Sequence, residues 1–436
     1  MLRMMIAPIV LILLAPASLV RANEIKPWVA KNLPDLVELY EHFHAHPELS
    51  FEEEQTAARL AEELRETGAK VTENIGGHGV VAVLENGDGP TLMLRADLDG
   101  LPVVEQTGVE YASQVKVKDK RGATVGVMHA CGHDIHITNL IGVARFLAEH
   151  QDQWSGTLVM IGQPAEERGA GAKAMLEDGL FHRFPRPDFA IAVHVDPTLA
   201  AGKVGIRPGF AMANVDSVDI TVRGRGGHGA YPHMTVDPIV IAARLVVDLQ
   251  TIVSREVKPI EPAVVTVGAI HGGTKHNIIG NDCSLQITVR SYTPKVRKQI
   301  HDAIRRKAFA AAASADAPDP DVEVSEGIPS LYNDEPLAQR LQGVFRRVLG
   351  SEQVGGVEPS MGGEDFGMYG KAGVPITMYR LGAIEADRLQ EYVEQDGMPP
   401  SLHSPLFYPD AGPTLATGIT TMGSAALEIL QRDGGN

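Results

Sequence analysis

Three apolar runs in the first half of this chain, residues 91–96, 157–161 and 189–193, have the length and composition of buried strands. Each is followed at once by residues that carry chemistry. Asp97 and Asp99 follow the first, Glu166 and Glu167 the second, and His194 the third. Between the runs the apolar spacing turns helical, with Leu140, Ile141, Ala144 and Leu147 on one face and a second helical stretch at 172–176. Strands that alternate with helices predict an α/β fold with a parallel or mixed sheet and helices on both faces. In such sheets the chemistry sits at strand ends.

The flanking segments refine this layout. Ser50, three residues before Glu53, precedes Ala57, Leu60, Ala61 and Leu64 on one face, with Gly68 beyond them, which predicts a capped amphipathic helix. Residues 80–84 and 91–96 read as two strands joined by a tight connection at 86–89. From about residue 213 the pattern becomes strand 215–222, helix 237–253, strands 263–270 and 284–291, helix 294–313 and strand 322–324. That β-α-β-β-α-β order describes a split βαβ, ferredoxin-like α+β unit of about a hundred residues. It reads as an insertion at 214–327, dividing a larger unit into 23–213 and 328–436.

Residues 6–20 are apolar and are followed by Arg21 and Ala22, the pattern of a signal peptide over 1–22. An exported protein, periplasmic or secreted, is the expectation. No later stretch reaches the roughly 20 apolar residues of a membrane span, so no integral membrane association is expected. Loss of Arg3 and Arg21 with the leader would move the formal charge from −16 to −18, which argues against nucleic acid as a partner. The only two cysteines, Cys131 and Cys283, fall in different kinds of segment, and two independent roles are expected rather than a disulfide.

The densest chemistry is at residues 129–136, where His129, Cys131, His133, Asp134 and His136 crowd a loop entering a helix. An isolated Cys-x-His fits a buried cysteine among surface histidines as readily as a metal site. Glu167, His194 and His403 change that balance by bringing the candidate ligands to five, more than one tetrahedral ion needs. Two divalent ions sharing a ligand would use all five, and a thiolate can bridge. Glu166 beside Glu167 then suits divided labour, one carboxylate on metal and the other serving as general base toward water. Asp97 and Asp99 fit second-layer partners that fix imidazole tautomers. Two more histidines, His228 and His233, lie in a glycine-rich turn of the inserted unit and fit an oxyanion donor or a plain turn. Arg290, ending an alternating strand, could pair with a substrate carboxylate.

Six ordered blocks, at 95–102, 128–136, 163–167, 224–233, 272–279 and 361–366, resemble the aminoacylase/carboxypeptidase metallopeptidase family. Within it they are most similar to the amidohydrolase branch of hippurate hydrolases and indole-acetyl-amino-acid hydrolases. The resemblance runs from about residue 33 to the end of the chain. It implies a mixed-sheet, di-metal catalytic domain of exopeptidase type, with the insertion acting as a lid and dimerisation domain. It further implies Cys131 as the bridge, His133, Glu167, His194 and His403 as the remaining ligands, and Glu166 as the base. His228, with Asn277 beside it, would reach the partner subunit's site in a homodimer. Gly100 and the pair Gly280 and Asn281 depart from the usual blocks and bear on substrate preference.

The expected activity is hydrolysis of the amide bond of an N-acyl amino acid or a similar conjugate. Zinc or manganese are the first candidates for the two ions of each subunit, and cobalt or nickel are also compatible with the ligands. A dipeptidase or carboxypeptidase acting on short peptides would use the same machinery. An exported metal- or ligand-binding protein without catalysis is the alternative of another class, and the presence of both Glu166 and the whole ligand set argues against it.

Overall fold

The computed structural model describes residues 17–118 and 122–431. The expected leader therefore lies largely outside the described residues. Among those described, no helix is long and apolar enough to cross a membrane.

The larger sheet has eight strands, from edge to edge Lys70–Ile75 (β1), Gly79–Asn86 (β2), Gly156–Gln163 (β4), Thr91–Asp97 (β3), Phe189–Ala200 (β5), Ile376–Ile384 (β12), Val204–Gly205 (β6) and Val354–Gly355 (β11). It is a mixed sheet whose centre, β4-β3-β5-β12, is parallel throughout. One face packs on Ala17–Ala45 (α1), Glu54–Glu66 (α2), His133–Glu149 (α3), Glu335–Leu349 (α7) and Ala411–Ile429 (α8) in a single apolar cluster. The other face packs on the short helix Gly171–Glu177 (α4) and on Phe366 and Tyr369. Burial on both faces explains why these strands are continuously apolar. Ile135, Ile137, Leu140 and Leu147 of α3 are fully buried, each stabilising the fold by roughly 1.5–3 kcal/mol before the entropy of ordering is counted.

The two strands expected around the tight connection at 86–89 form as β2 and β3, with β4 lying between them, antiparallel to the first and parallel to the second. Two local expectations are corrected. Helix α2 forms as expected, but Ser50 does not cap it. Its hydroxyl donates instead to Asp99 Oδ2 at 2.6 Å, and Glu53 accepts from the amides of Phe51 and Ala165. Strand β5 does not stop at His194 but runs on to Ala200, because its pairing with β12 continues past that point.

The segment between the halves of the larger sheet folds as a second sheet of four antiparallel strands. Their order is Ala263–Gly272 (β8), Asp282–Ser291 (β9), Asn214–Arg223 (β7) and Asp321–Glu326 (β10). Helices Pro238–Thr251 (α5) and Pro294–Ala313 (α6) cover one face and enclose a separate apolar core. Asp237 caps α5 by accepting from the Ile239 and Val240 amides, and Thr293 caps α6 through the Val296 amide, each cap followed by a proline at the first helical position. The two connections to the larger unit run side by side, the Val215 amide donating to Ile328 and the Gly327 amide to Val215.

Candidate metal centre

Parallel pairing sets Asp97 opposite Gln163 and His194 opposite Arg380, and Arg95 opposite Ala192, so Asp97 and His194 fall level two residues further on. The site is built along that row. Cys131 and His133 reach it from the turn into α3, where Gly132 adopts φ 77° and a Cβ would come within 2.5 Å of a Val195 methyl carbon. Only glycine allows the approach. The carbonyl of Asp99 lies 2.7 Å from His133 Nδ1, so that nitrogen carries the proton and Nε2 keeps its lone pair. His133 Nε2 is buried and has no hydrogen-bond partner among the described residues. The Val195 carbonyl, 2.9 Å from His194 Nδ1, imposes the same tautomer there and leaves Nε2 3.6 Å from Cys131 Sγ.

Glu166 and Glu167 follow Ala165, which is held at φ 51°. The Asp99 carboxylate accepts both of their amides, at 3.2 and 3.0 Å, besides the Ser50 hydroxyl. Asp99 thus positions two carboxylates and an imidazole at once. His403, also at positive φ, donates its amide to Ala130 and sets Nε2 3.4 Å from Glu167 Oε2. All five expected ligands are brought together in two groups, Cys131 with His133 and His194, and Cys131 with Glu167 and His403. Only Cys131 belongs to both. Two sets of soft and borderline donors meeting at one sulfur fit a pair of divalent ions, and the unpartnered His133 Nε2 and Glu167 Oε1 fit ligand atoms.

His129 and His136 do not join these sets. His136 Nδ1 bonds Asp97 Oδ1 at 2.6 Å and its Nε2 accepts the Val195 amide, so both nitrogens are committed. Burial pushes the His129 imidazole down to about 4, and neither of its nitrogens has a hydrogen-bond partner among the described residues. Burial raises the carboxyl of Glu166, with the Glu364 carboxylate adding to the effect, and burial pushes Glu167 up to about 7. A carboxyl raised in this way is suited to accept a proton near neutral pH.

Arg95 escaped the sequence reading. It is buried and spans Asp97, Glu364, Asp365 and the Gln163 amide oxygen at 2.5–3.2 Å. This cation neutralises an acidic group that would otherwise crowd Glu166. A lone arginine inside an apolar strand run was the available signal, because such a charge needs buried partners. A cavity of about 630 Å³ opens over the centre, and Glu166, His194, His403, Arg290 and Arg380 are among the residues that line it. His228 and Asn277 are not. They lie together on the inserted unit, both exposed, with the Gly229 amide donating to the Asn277 carbonyl and the Ala230 amide to His228 Nδ1.

A row of strand ends in an α/β sheet carrying a cysteine common to two ligand groups, imidazoles and an adjacent carboxylate fits a metal-dependent hydrolase. Comparison with known proteins agrees. The model of peptidase family M20/M25/M40 matches residues 93–403. N-acetyl-L-cysteine deacetylase of Bacillus subtilis is 38% identical over 338 residues, 77% of this chain and 77% of the relative. An IAA-amino acid hydrolase of Arabidopsis thaliana is 33% identical over 374 residues, 85% of this chain and 80% of the relative. A dinuclear metal-binding peptidase of the M20 family from Bacillus subtilis superposes with a TM-score of 0.76 at 28% identity, covering 92% of this chain and 99% of that one. The chain belongs to peptidase family M20/M25/M40 and is a hydrolase of amide or peptide bonds.

Proposed function

We propose that this protein hydrolyses the amide bond of N-acyl amino acids, with Glu166 as the general base. The observation that carries this reading is the pair of ligand groups meeting at Cys131, with Glu166 buried beside them and facing the same cavity. Cys131, His133 and His194 would hold one divalent ion and Cys131, Glu167 and His403 the other, with zinc or manganese favoured by the donor set. When bound, the ions supply polarisation of the scissile carbonyl and acidification of water. Glu166 accepts the proton of the attacking water and returns it to the leaving nitrogen, while Asp99 keeps the Glu166 and Glu167 backbone in place. Arg290 takes the amino-acid carboxylate from across the cavity.

The inserted unit acts as a ferredoxin-like lid and dimerisation domain. Its α5 exposes Ile239, Val240 and Val247, and its edge strand β8 exposes Ile270, an apolar face suited to a second copy of the chain. His228, whose Nδ1 accepts a backbone amide and whose Nε2 therefore carries the proton, is the oxyanion donor delivered to the partner subunit, with Asn277 beside it. Export to the periplasm or beyond is part of the proposal and rests on the apolar leader.

The test is a panel of N-acetyl, N-benzoyl and fatty-acyl amino acids beside dipeptides, each assayed with several divalent metals. Turnover of acylated amino acids well above that of dipeptides is expected. The reverse order would make the protein a dipeptidase, and metal content without turnover would make it a binding protein.

A further inference from the structure

Arg380 stands in the row that forms the centre, directly opposite His194 on the neighbouring parallel strand, and lines the same cavity. Paired residues on adjacent strands share a face, so its side chain leaves the sheet on the His194 side. Among the described residues its one hydrogen bond runs from Nη2 to Met212 Sδ at 3.0 Å, and a thioether is a weak acceptor. Among the described residues no carboxylate pairs with it. Arg95, on the same sheet, is matched by three carboxylates. A partly buried guanidinium beside a cation-binding centre raises the Coulomb energy of that centre and leaves donors unused. An anion entering with the substrate removes both penalties. Among the described residues Arg290, which lines the same cavity from the inserted unit, also lacks a carboxylate partner and bonds only Thr288 Oγ1 at 3.3 Å. One arginine can hold the amino-acid carboxylate through a bidentate pair, which leaves the other available for a second anionic group.

We infer that Arg380 is a specificity residue that holds a second carboxylate of the substrate, so that dianionic N-acyl amino acids are preferred over monoanionic ones. This rests on the amidohydrolase reading. The second carboxylate sits either on the acyl group or on the amino-acid side chain, and the substrates separate the two.

The experiment measures kcat/KM on N-acetyl-L-alanine, N-acetyl-L-glutamate and N-succinyl-L-alanine for the wild type, Arg380→Leu and Arg380→Lys. The wild type is expected to prefer one of the dianionic substrates over N-acetyl-L-alanine. In Arg380→Leu that ratio falls about 10- to 100-fold, through KM, the span of a charge-assisted hydrogen bond. Arg380→Lys, which keeps the charge and guards against a folding defect in the leucine variant, retains part of the preference. The substrate whose ratio falls shows which side bears the anion. Unchanged ratios, or an equal fall on all three substrates, would overturn the inference. Should the wild type cleave only peptides, the amidohydrolase reading fails, and Ala-Glu against Ala-Ala in the same variants still decides the role of Arg380.

Discussion

His133, His136 and His194 are buried at the sheet edge, and each has at least one ring nitrogen fixed by a carbonyl or carboxylate oxygen. His228 stands exposed on the inserted unit, its outer nitrogen facing no acceptor among the described residues of its own chain. Both are histidines from dense sequence motifs, yet the fold treats them oppositely. The buried set is preorganised, and its protons are assigned before any substrate arrives. His228 is oriented by one backbone amide and otherwise unfinished, as expected of a group completed by a second subunit or by closure. The difference separates a motif whose partners are already in place from one that, on the proposed reading, supplies half of a site.

Removal of metal strikes the ligand groups that meet at Cys131 and leaves His228 untouched, and it has the largest expected effect. Dialysis against a chelator abolishes turnover and added divalent ions restore it, whereas full activity after chelation would break the metal assignment. Next comes Glu166→Gln, for which kcat falls about 10²- to 10⁴-fold, the usual contribution of a general base, with metal content by elemental analysis unchanged. His228→Ala is expected to lower kcat by about 10²- to 10³-fold while leaving the melting temperature near that of the wild type, because the ring is exposed. Mixing the Glu166→Gln and His228→Ala proteins sharpens the contrast. A mixed dimer has one site with both groups intact and recovers activity, and failure to recover would place His228 in its own subunit's site.

How much of this was legible in the sequence depended on distance along the chain. The Cys-x-His cluster, the paired glutamates and helix α6, which begins at Pro294 and ends at Ala313 as expected, are local patterns that report themselves. The strand pattern of the inserted unit was equally readable, because alternation of buried and exposed residues along β7 and β9 needs no knowledge of partners. Arg95 was visible as a lone charge in an apolar run, but its partners Glu364 and Asp365 were not readable, since they lie 269 and 270 residues away. Ser50 fits a cap by spacing, and only the tertiary fold shows that Asp99 is nearer. The position of β4 between β2 and β3 is likewise a matter of topology, which the apolar content of each strand leaves open. Arg380 becomes visible only once register sets it opposite His194.

The smallest effect concerns stability and separates the two regions by pH. His44 is buried behind the centre, with Nδ1 2.7 Å from Asp134 and Nε2 3.0 Å from Glu105. Burial alone would lower its pKa, but the hydrogen bonds to Asp134 and Glu105 outweigh it and hold the imidazolium up to about 9, against 6.5 for the unperturbed group. A folded-state pKa raised above the unfolded value contributes stability that is complete below about 6.5 and is lost as pH rises through about 9. The upper bound, at 1.36 kcal/mol per pKa unit, is roughly 3 kcal/mol, and the lowered pKa values of Asp134 and Glu105 report partly the same contacts and are not added to it. Denaturation of the wild type and His44→Gln at several pH values should therefore show the largest gap near pH 6, narrowing toward pH 9. His228→Ala, having no buried carboxylate to lose, should track the wild type across the same range. A His44→Gln gap that stays constant with pH would mean that the imidazole is held by shape rather than charge, and the two regions would then differ in burial but not in electrostatics.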